Sequence, residues 1–271
     1  MQILNLVRQD KSDISYSISR FPDGEVHITL GDIDHKDKVE VRCRITNAEE
    51  LFILMQVGDI LKRHAVPFFI SICYLMSMRM DRVMDFNRPF SLSIVCKVLD
   101  SLGADSISVF SPHSYECVRL LNTPNFGNYE FEIPFRCENI AESLNAQTVL
   151  PDKGAAGKFY YDEDTIFGKK TRDLATGKIT SIGIENPWNI GDNPLLVRDD
   201  LCDGGGTFVG IAKELRKYKP NAKLYIQVDH MVNPKGIKNL SENFDRVWFT
   251  NSYKDWQNES LPDNVEVIEI V

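Results

Sequence analysis

The chain has 271 residues, 43% hydrophobic and 26% charged, which suits one large or two modest domains with a sizeable core. A formal net charge of −8 argues against a surface built for nucleic acid or an anionic membrane, and no apolar run approaches the ~18 residues of a membrane span. Six cysteines are scattered without a C-x-x-C pair, which speaks against zinc and for buried thiols in a reducing, cytoplasmic compartment.

Taken in order, MQILNLVRQDKSD reads as a short strand rather than a signal peptide. Strands are predicted at Gln2–Val7, Ile14–Ile18, Glu25–Leu30 and Lys38–Ile45. Pro-Asp-Gly within RFPDGEV marks a tight turn between the second and third. Glu49–His64 has helical periodicity, with Leu51, Phe52, Leu54, Met55, Ile60 and Leu61 expected inward. Val66–Cys73 is apolar throughout, the mark of a central strand in a parallel sheet. A helix at Ser91–Leu102, a strand at Ser106–Phe110 and a helix at Glu116–Leu121 follow.

The order then begins again. A helix at Asn139–Leu144 leads to strands at Gln147–Leu150, Thr165–Phe167, Ile179–Ile184 and Leu195–Val197. The strand at Gln147–Leu150 is followed from Gly154 by a short helix or turn. A helix at Thr207–Tyr218 precedes strands at Lys223–Val228, Arg246–Thr250 and Val265–Ile270. Strands alternating with helices mean open, mostly parallel α/β sheets. Two such sets imply two similar domains, 1–145 and 146–271. In such sheets ligands sit beyond the carboxyl ends of the strands.

The most informative stretch is PLLVRDDLCDGGGTFVGIAKELRK, from Pro194 to Lys217. An apolar strand runs into Asp199, Asp200 and Asp203; Gly204, Gly205 and Gly206 bend the chain, and Thr207 opens a helix. A glycine turn into a helix start offers free N–H groups to a phosphate, and nearby carboxylates suit sugar hydroxyls. The same residues also suit a turn with a solvated acidic rim. ISRFPDGEVHI carries Phe21, Asp23 and Glu25, and YLMSMRMDRVMDF carries Arg79, Asp81 and Arg82. Guanidinium forks pair well with phosphate oxygens. His113 lies in SVFSPHSYE, and Asp152, in VLPDKGAAGK, follows a strand and precedes a glycine turn, a fitting place for a carboxylate facing magnesium. In FGKKTRDLATGKIT, Lys170 and Arg172 are two residues apart, which on a strand puts them on one face.

These stretches, in this order, resemble the ribose-phosphate pyrophosphokinase family. The resemblance covers most of the chain. It implies two tandem type I phosphoribosyltransferase-like domains, the first carrying the ATP loops and the second the ribose-phosphate site. By that resemblance, Phe21, Asp23, Glu25, Arg79, Asp81 and Arg82 bind ATP, and the loop of Phe21 reaches a neighbouring subunit in a homo-oligomer, a dimer or hexamer. His113 and Asp152 lie near magnesium. Asp199, Asp200, Asp203, Gly204, Gly205, Gly206 and Thr207 hold the ribose phosphate; Lys170 and Arg172 carry catalysis, with Asp203 assisting or accepting the anomeric proton.

Several positions depart from the family pattern. Met80 stands where a Gln is expected, Ser111 for an Asp, Ala155 for a second Gly, and Gly204 for a Thr or Ser. The implied reaction moves the β,γ-diphosphoryl group of Mg-ATP to the anomeric 1-hydroxyl of a ribose 5-phosphate group and releases AMP. Gly204 shifts the expected acceptor towards ADP-ribose, which phage relatives convert to ADP-ribose 1-diphosphate for rebuilding NAD. Free ribose 5-phosphate is the close alternative. A phosphoribosyltransferase and an inactive regulatory homologue are the other classes.

Overall fold

The computed structural model describes residues 1–121, 140–159, 161–172 and 179–271, without the side chains of Arg172, Ile179 and Thr180. The chain divides into two compact units, Met1–Glu132 with Val271 and Ile133–Ile270. Both are mixed α/β with largely parallel sheets, as expected.

The first unit holds a parallel sheet in the order β1 (Gln2–Asn5), β4 (Val39–Ile45), β5 (Phe68–Leu75), β6 (Ser106–Val109). Helix α1 (Ala48–Arg63) connects β4 to β5, α2 (Ser91–Ser101) connects β5 to β6, and α3 (Tyr115–Leu121) follows. The apolar run expected to be central is β5, paired on both sides. Asn47 caps α1 by accepting the N–H groups of Glu49 and Glu50 at 2.9 and 3.0 Å, a contact of about 1 kcal/mol. Acidic residues in its first turn and basic ones in its last suit the helix dipole.

The buried stripe of α1 is Ile53, Leu54, Val57 and Leu61, so Phe52 and Met55 face outward, contrary to expectation. Phe52 and Met55 line a groove beside β3 instead. A separate antiparallel hairpin pairs β2 (Tyr16–Arg20) with β3 (Val26–Leu30). Strand β2 begins later than expected because Ile14 is a core residue whose N–H turns back to the Ile3 carbonyl.

The second unit holds seven strands in the order β13-β12-β11-β10-β7-β8-β9. They are β7 (Gln147–Leu150), β8 (Ile166–Arg172), β9 (Ile179–Ile184), β10 (Leu195–Cys202), β11 (Leu224–Met231), β12 (Arg246–Thr250) and β13 (Val265–Ile268). Among the described residues of this sheet, only the pair β8–β9 is antiparallel. Helix α4 (Gly206–Tyr218) buries Phe208, Ile211 and Leu215 with Val197, Ile226 and Val228 from the strands. Each such side chain contributes about 1.5–3 kcal/mol when fully buried.

Strand β10 does not end at Val197. It continues through Asp199 and Asp200 because β11 stays in register beside it as far as Cys202 against Met231. A further helix, α5 (Pro234–Ser241), was not expected; Asn233 caps it by accepting the Lys235 N–H at 2.9 Å, and Pro234 opens its first turn. Among the described residues no helix is long and apolar enough to cross a membrane.

Candidate active site

Asp199 and Asp200 lie within the last turns of β10's pairing with β11, and Asp203 leaves the sheet at its carboxyl edge. Gly205 then adopts a left-handed backbone, φ 75°, which favours glycine and swings the chain into α4. Among the described residues no side chain caps α4, so the N–H groups of its first turn are offered to a ligand. The loop is held in shape from α5. Asn233 Nδ2 donates to Asp203 Oδ1 at 2.9 Å, and Asn239 Nδ2 donates to the Gly204 carbonyl at 2.7 Å. Gly236 lies so close beneath the loop that a Cβ there would fall 2.1 Å from the Asp203 carbonyl oxygen. By contrast, a Cβ on Gly204 or Gly206 would meet nothing within 4 Å. Thr207 is half-buried in the first turn of α4.

The acidic pair is unevenly placed. Asp200 is buried at 1% exposure, and Lys158 Nζ approaches its Oδ1 at 2.5 Å. Asp199 is half-buried and accepts the Asp200 N–H at 2.9 Å. Burial, together with the charge of Asp200, pushes the Asp199 carboxyl well above the usual carboxylate range, against an opposing pull from Lys158.

Strand β7 pairs with β10, Val149 against Val197, so the loop after β7 leaves the sheet beside the acidic pair. Asp152 in that loop accepts the N–H groups of Gly154 and Ala155 at 2.8 and 3.2 Å and forms an ion pair with Lys170 of β8. Burial works to raise its carboxyl; Lys170 and the two N–H groups outweigh it and hold the group below its ordinary value. Lys170 and Arg172 were expected on one face of a strand. The register of β8 against β9 shifts by one residue at Thr180 of β9, while Lys170 and Arg172 stay alternate residues of β8. The Arg172 side chain and residues 173–178 lie outside the described residues.

In the first unit, Phe21, Asp23 and Glu25 occupy the exposed tip of the β2–β3 hairpin. The Phe21 N–H donates to the Glu25 carbonyl at 2.8 Å, Asp23 Oδ1 accepts the Glu25 N–H at 3.1 Å, and Gly24 has φ 94°. Arg79, Asp81 and Arg82 lie in the loop after β5, as expected. Arg79 and Arg82 are exposed, while Asp81 is buried. Arg82 pairs with Asp81 through two bonds of 2.8 and 3.1 Å. That pairing holds the Asp81 carboxyl low against burial, with His113 near enough to act in the same direction. The loop after β5 and the loop after β6 therefore meet at Asp81 and His113.

Sequence reasoning passed over Lys158, Asn233, Gly236 and Asn239. The Asn233-Pro234 pair is a helix-start signal that would have located α5. Lys158 carries no such signal, since its partner is on another strand.

No family model matches the chain. A ribose-phosphate pyrophosphokinase of Thermococcus kodakarensis is 27% identical over 267 residues, 95% of this chain and 90% of the relative. Ribose-phosphate pyrophosphokinase 2 of Schizosaccharomyces pombe is 22% identical over 268 residues, 94% and 82% of the two chains. The crystal structure of phosphoribosylpyrophosphate synthetase from Mycobacterium smegmatis shares the fold, with a TM-score of 0.75 at 20% identity over 97% of this chain and 88% of that one. The fold is thus that of the phosphoribosylpyrophosphate synthetase structure, with two mixed α/β units in tandem. The chain is similar along nearly its whole length to ribose-phosphate pyrophosphokinases.

Proposed function

We propose that this protein transfers the β,γ-diphosphoryl group of ATP to the anomeric 1-hydroxyl of ribose 5-phosphate and releases AMP. The observation that carries the reading is the uncapped start of α4, opened by glycines and set beside the acidic end of β10. An anion at the helix start and hydroxyls at Asp199 and Asp200 describe a sugar phosphate. The domains 1–145 and 146–271 divide the work in this reading: the first holds ATP through Phe21, Asp23, Glu25, Arg79, Asp81 and Arg82, the second holds the acceptor.

The chemistry follows from the charges. The 1-hydroxyl oxygen attacks the β-phosphorus, its proton passes to a base for which Asp203 is the nearest carboxylate in the loop, and the bond from the β-phosphorus to the bridging oxygen breaks with AMP as leaving group. Charge spreads over the equatorial oxygens, where Lys170 and Arg172 act as fixed cations. Positioning supplies much of the remainder.

Magnesium fits this chain as a cation held mainly by the nucleotide. Among the described residues no three His, Cys, Asp or Glu side chains come together. Magnesium commonly uses one or two carboxylates plus substrate phosphates, and Asp152 fits as such a carboxylate. When bound, the ion would neutralise phosphate oxygens; Asp152 would help hold it, and Lys170 would serve the phosphates.

A second acceptor, ADP-ribose, is favoured by Gly204, whose open surroundings leave room for a diester to continue past the phosphate. The names of the relatives support ribose 5-phosphate, which is put first here although the sequence leaned the other way. We also propose that the hairpin tip of Phe21 completes a neighbouring subunit's ATP site in a homo-oligomer. Incubation with Mg-ATP and either acceptor, followed by mass spectrometry, tests the function. AMP and an acceptor heavier by one diphosphoryl group are expected. No acceptor-dependent AMP with either compound overturns the reading, and release of diphosphate from a phosphoribosyl diphosphate on adding a base would make the protein a phosphoribosyltransferase instead.

A further inference from the structure

Lys158 closes the stretch VLPDKGAAGK, where the sequence assigned it no role, yet it makes a short polar contact to the acidic pair. It follows the turn at Ala155–Gly157, and its Nζ is 2.5 Å from Asp200 Oδ1, with the Lys158 side chain 20% exposed. The next residue, Phe159, is buried and lies 4.8 Å beneath the Arg198 guanidinium. Arg198 and Asp200 are two apart on β10 and so project from one face of the sheet. Consecutive residues of the loop thus dock on alternate residues of the strand. The loop is the one that begins with Asp152, and the strand is the one that ends in the acidic pair.

A carboxylate as deeply buried as Asp200 is costly unless a cation and further hydrogen bonds meet it. A lysine on a flexible stem is an expensive group to immobilise, so a fixed Lys158 requires a compensating gain. Resting on the ribose-phosphate reading above, we propose that Lys158 is a positioning residue for the acceptor. It fixes the rotamer and charge of Asp200, so that the acidic pair presents one preset arrangement of oxygens to the sugar hydroxyls. Lys158 itself touches neither substrate.

The test is steady-state kinetics with Mg-ATP and ribose 5-phosphate on the full chain. Lys158→Met should raise KM for the acceptor tenfold or more and leave KM for ATP within about twofold, a split that a merely structural role would not produce. Lys158→Arg, which keeps the cation, should return the acceptor KM to within about threefold of wild type. Because Lys158→Met strands a buried carboxylate, Lys158→Met with Asp200→Asn provides a variant without that burden. It should fold and still show the raised acceptor KM. A normal acceptor KM in the folded double variant, or equal changes in both KM values, would overturn the role of Lys158. A wild type inactive with both acceptors would instead remove the function on which it rests.

Discussion

Lys170 on β8 and Asp152 in the loop after β7 are joined by an ion pair in which both side chains are only about a quarter exposed (25% and 29%). The cation expected to stabilise the transferring phosphates and the carboxylate expected to face magnesium therefore neutralise each other in the protein alone. Lys170→Ala and Arg172→Ala should each lower turnover by about two orders of magnitude or more, as for loss of a charge donor in the transition state. Lys170→Ala has a second consequence. A depressed carboxyl contributes stability above its unfolded value, near ~3.9, that is lost as pH falls through the folded value. With Lys170 gone that contribution shrinks, so the melting temperature of the variant should fall less steeply on acidification. Unchanged turnover in both variants would take the β8–β9 hairpin out of the mechanism.

Asp199 is displaced in the opposite direction, raised by burial and by Asp200, with Lys158 opposing and the buried Cys202 thiol close by. A carboxyl whose folded value is raised binds its proton more tightly folded than unfolded. Stability then declines as pH climbs from the unfolded value towards the folded one. Asp199→Asn removes this penalty. The variant should melt higher than wild type at pH 8, with the gap closing near pH 4, while its KM for the acceptor rises. Identical melting curves at pH 8 would show that Asp199 is not held at a cost.

Gly236 lets α5 approach the phosphate loop. In Gly236→Ala the added methyl would meet the Asp203 carbonyl oxygen at 2.1 Å and Cys202 Sγ at 2.9 Å, so backbone must move. Overpacking of this kind costs about 1–3 kcal/mol. Denaturant titration should show that loss, and the acceptor KM should rise because Asp203 and Gly204 shift together. Stability within 0.5 kcal/mol of wild type, roughly the scatter of neutral surface changes, would contradict the packing argument.

Gly204 differs from Gly236 in having open space, so Gly204→Thr should fold normally. A hydrogen bond to a charged group is worth about 1.5–3 kcal/mol, roughly ten- to a hundredfold in affinity. A threonine hydroxyl aimed at a terminal phosphate should therefore favour ribose 5-phosphate, and its bulk should hinder the diester of ADP-ribose. The ratio of kcat/KM for the two acceptors should move tenfold or more towards ribose 5-phosphate. If the ratio stays put, position 204 does not select the acceptor.

Much of this was legible from local pattern. The apolar run of β5, the periodicity of α1 and the glycine turn before α4 are properties of neighbouring residues, and neighbouring residues largely decide strand, helix and turn. The order of the motifs located the acidic pair, Asp152 and the basic hairpin. Local pattern failed where pairing at a distance took over. Hydropathy ended β10 at Val197, because two adjacent aspartates are poor interior residues, yet β11 carries the ladder on to Cys202. Periodicity turned Phe52 and Met55 inward, whereas Ile53, Leu54, Val57 and Leu61 form the stripe that packs into the core.

The sequence by itself determined the element types, their α/β order and the residue types that suit phosphate and sugar, since each depends on a few contiguous side chains. Only the tertiary structure decided that Asp200 is buried against Lys158, that Asp152 is engaged by Lys170, and that Asn233 and Asn239 hold the glycine loop. Those contacts join residues brought together by the parallel sheet, and a charge far along the chain has no local signature until the strands place it within reach of its partner.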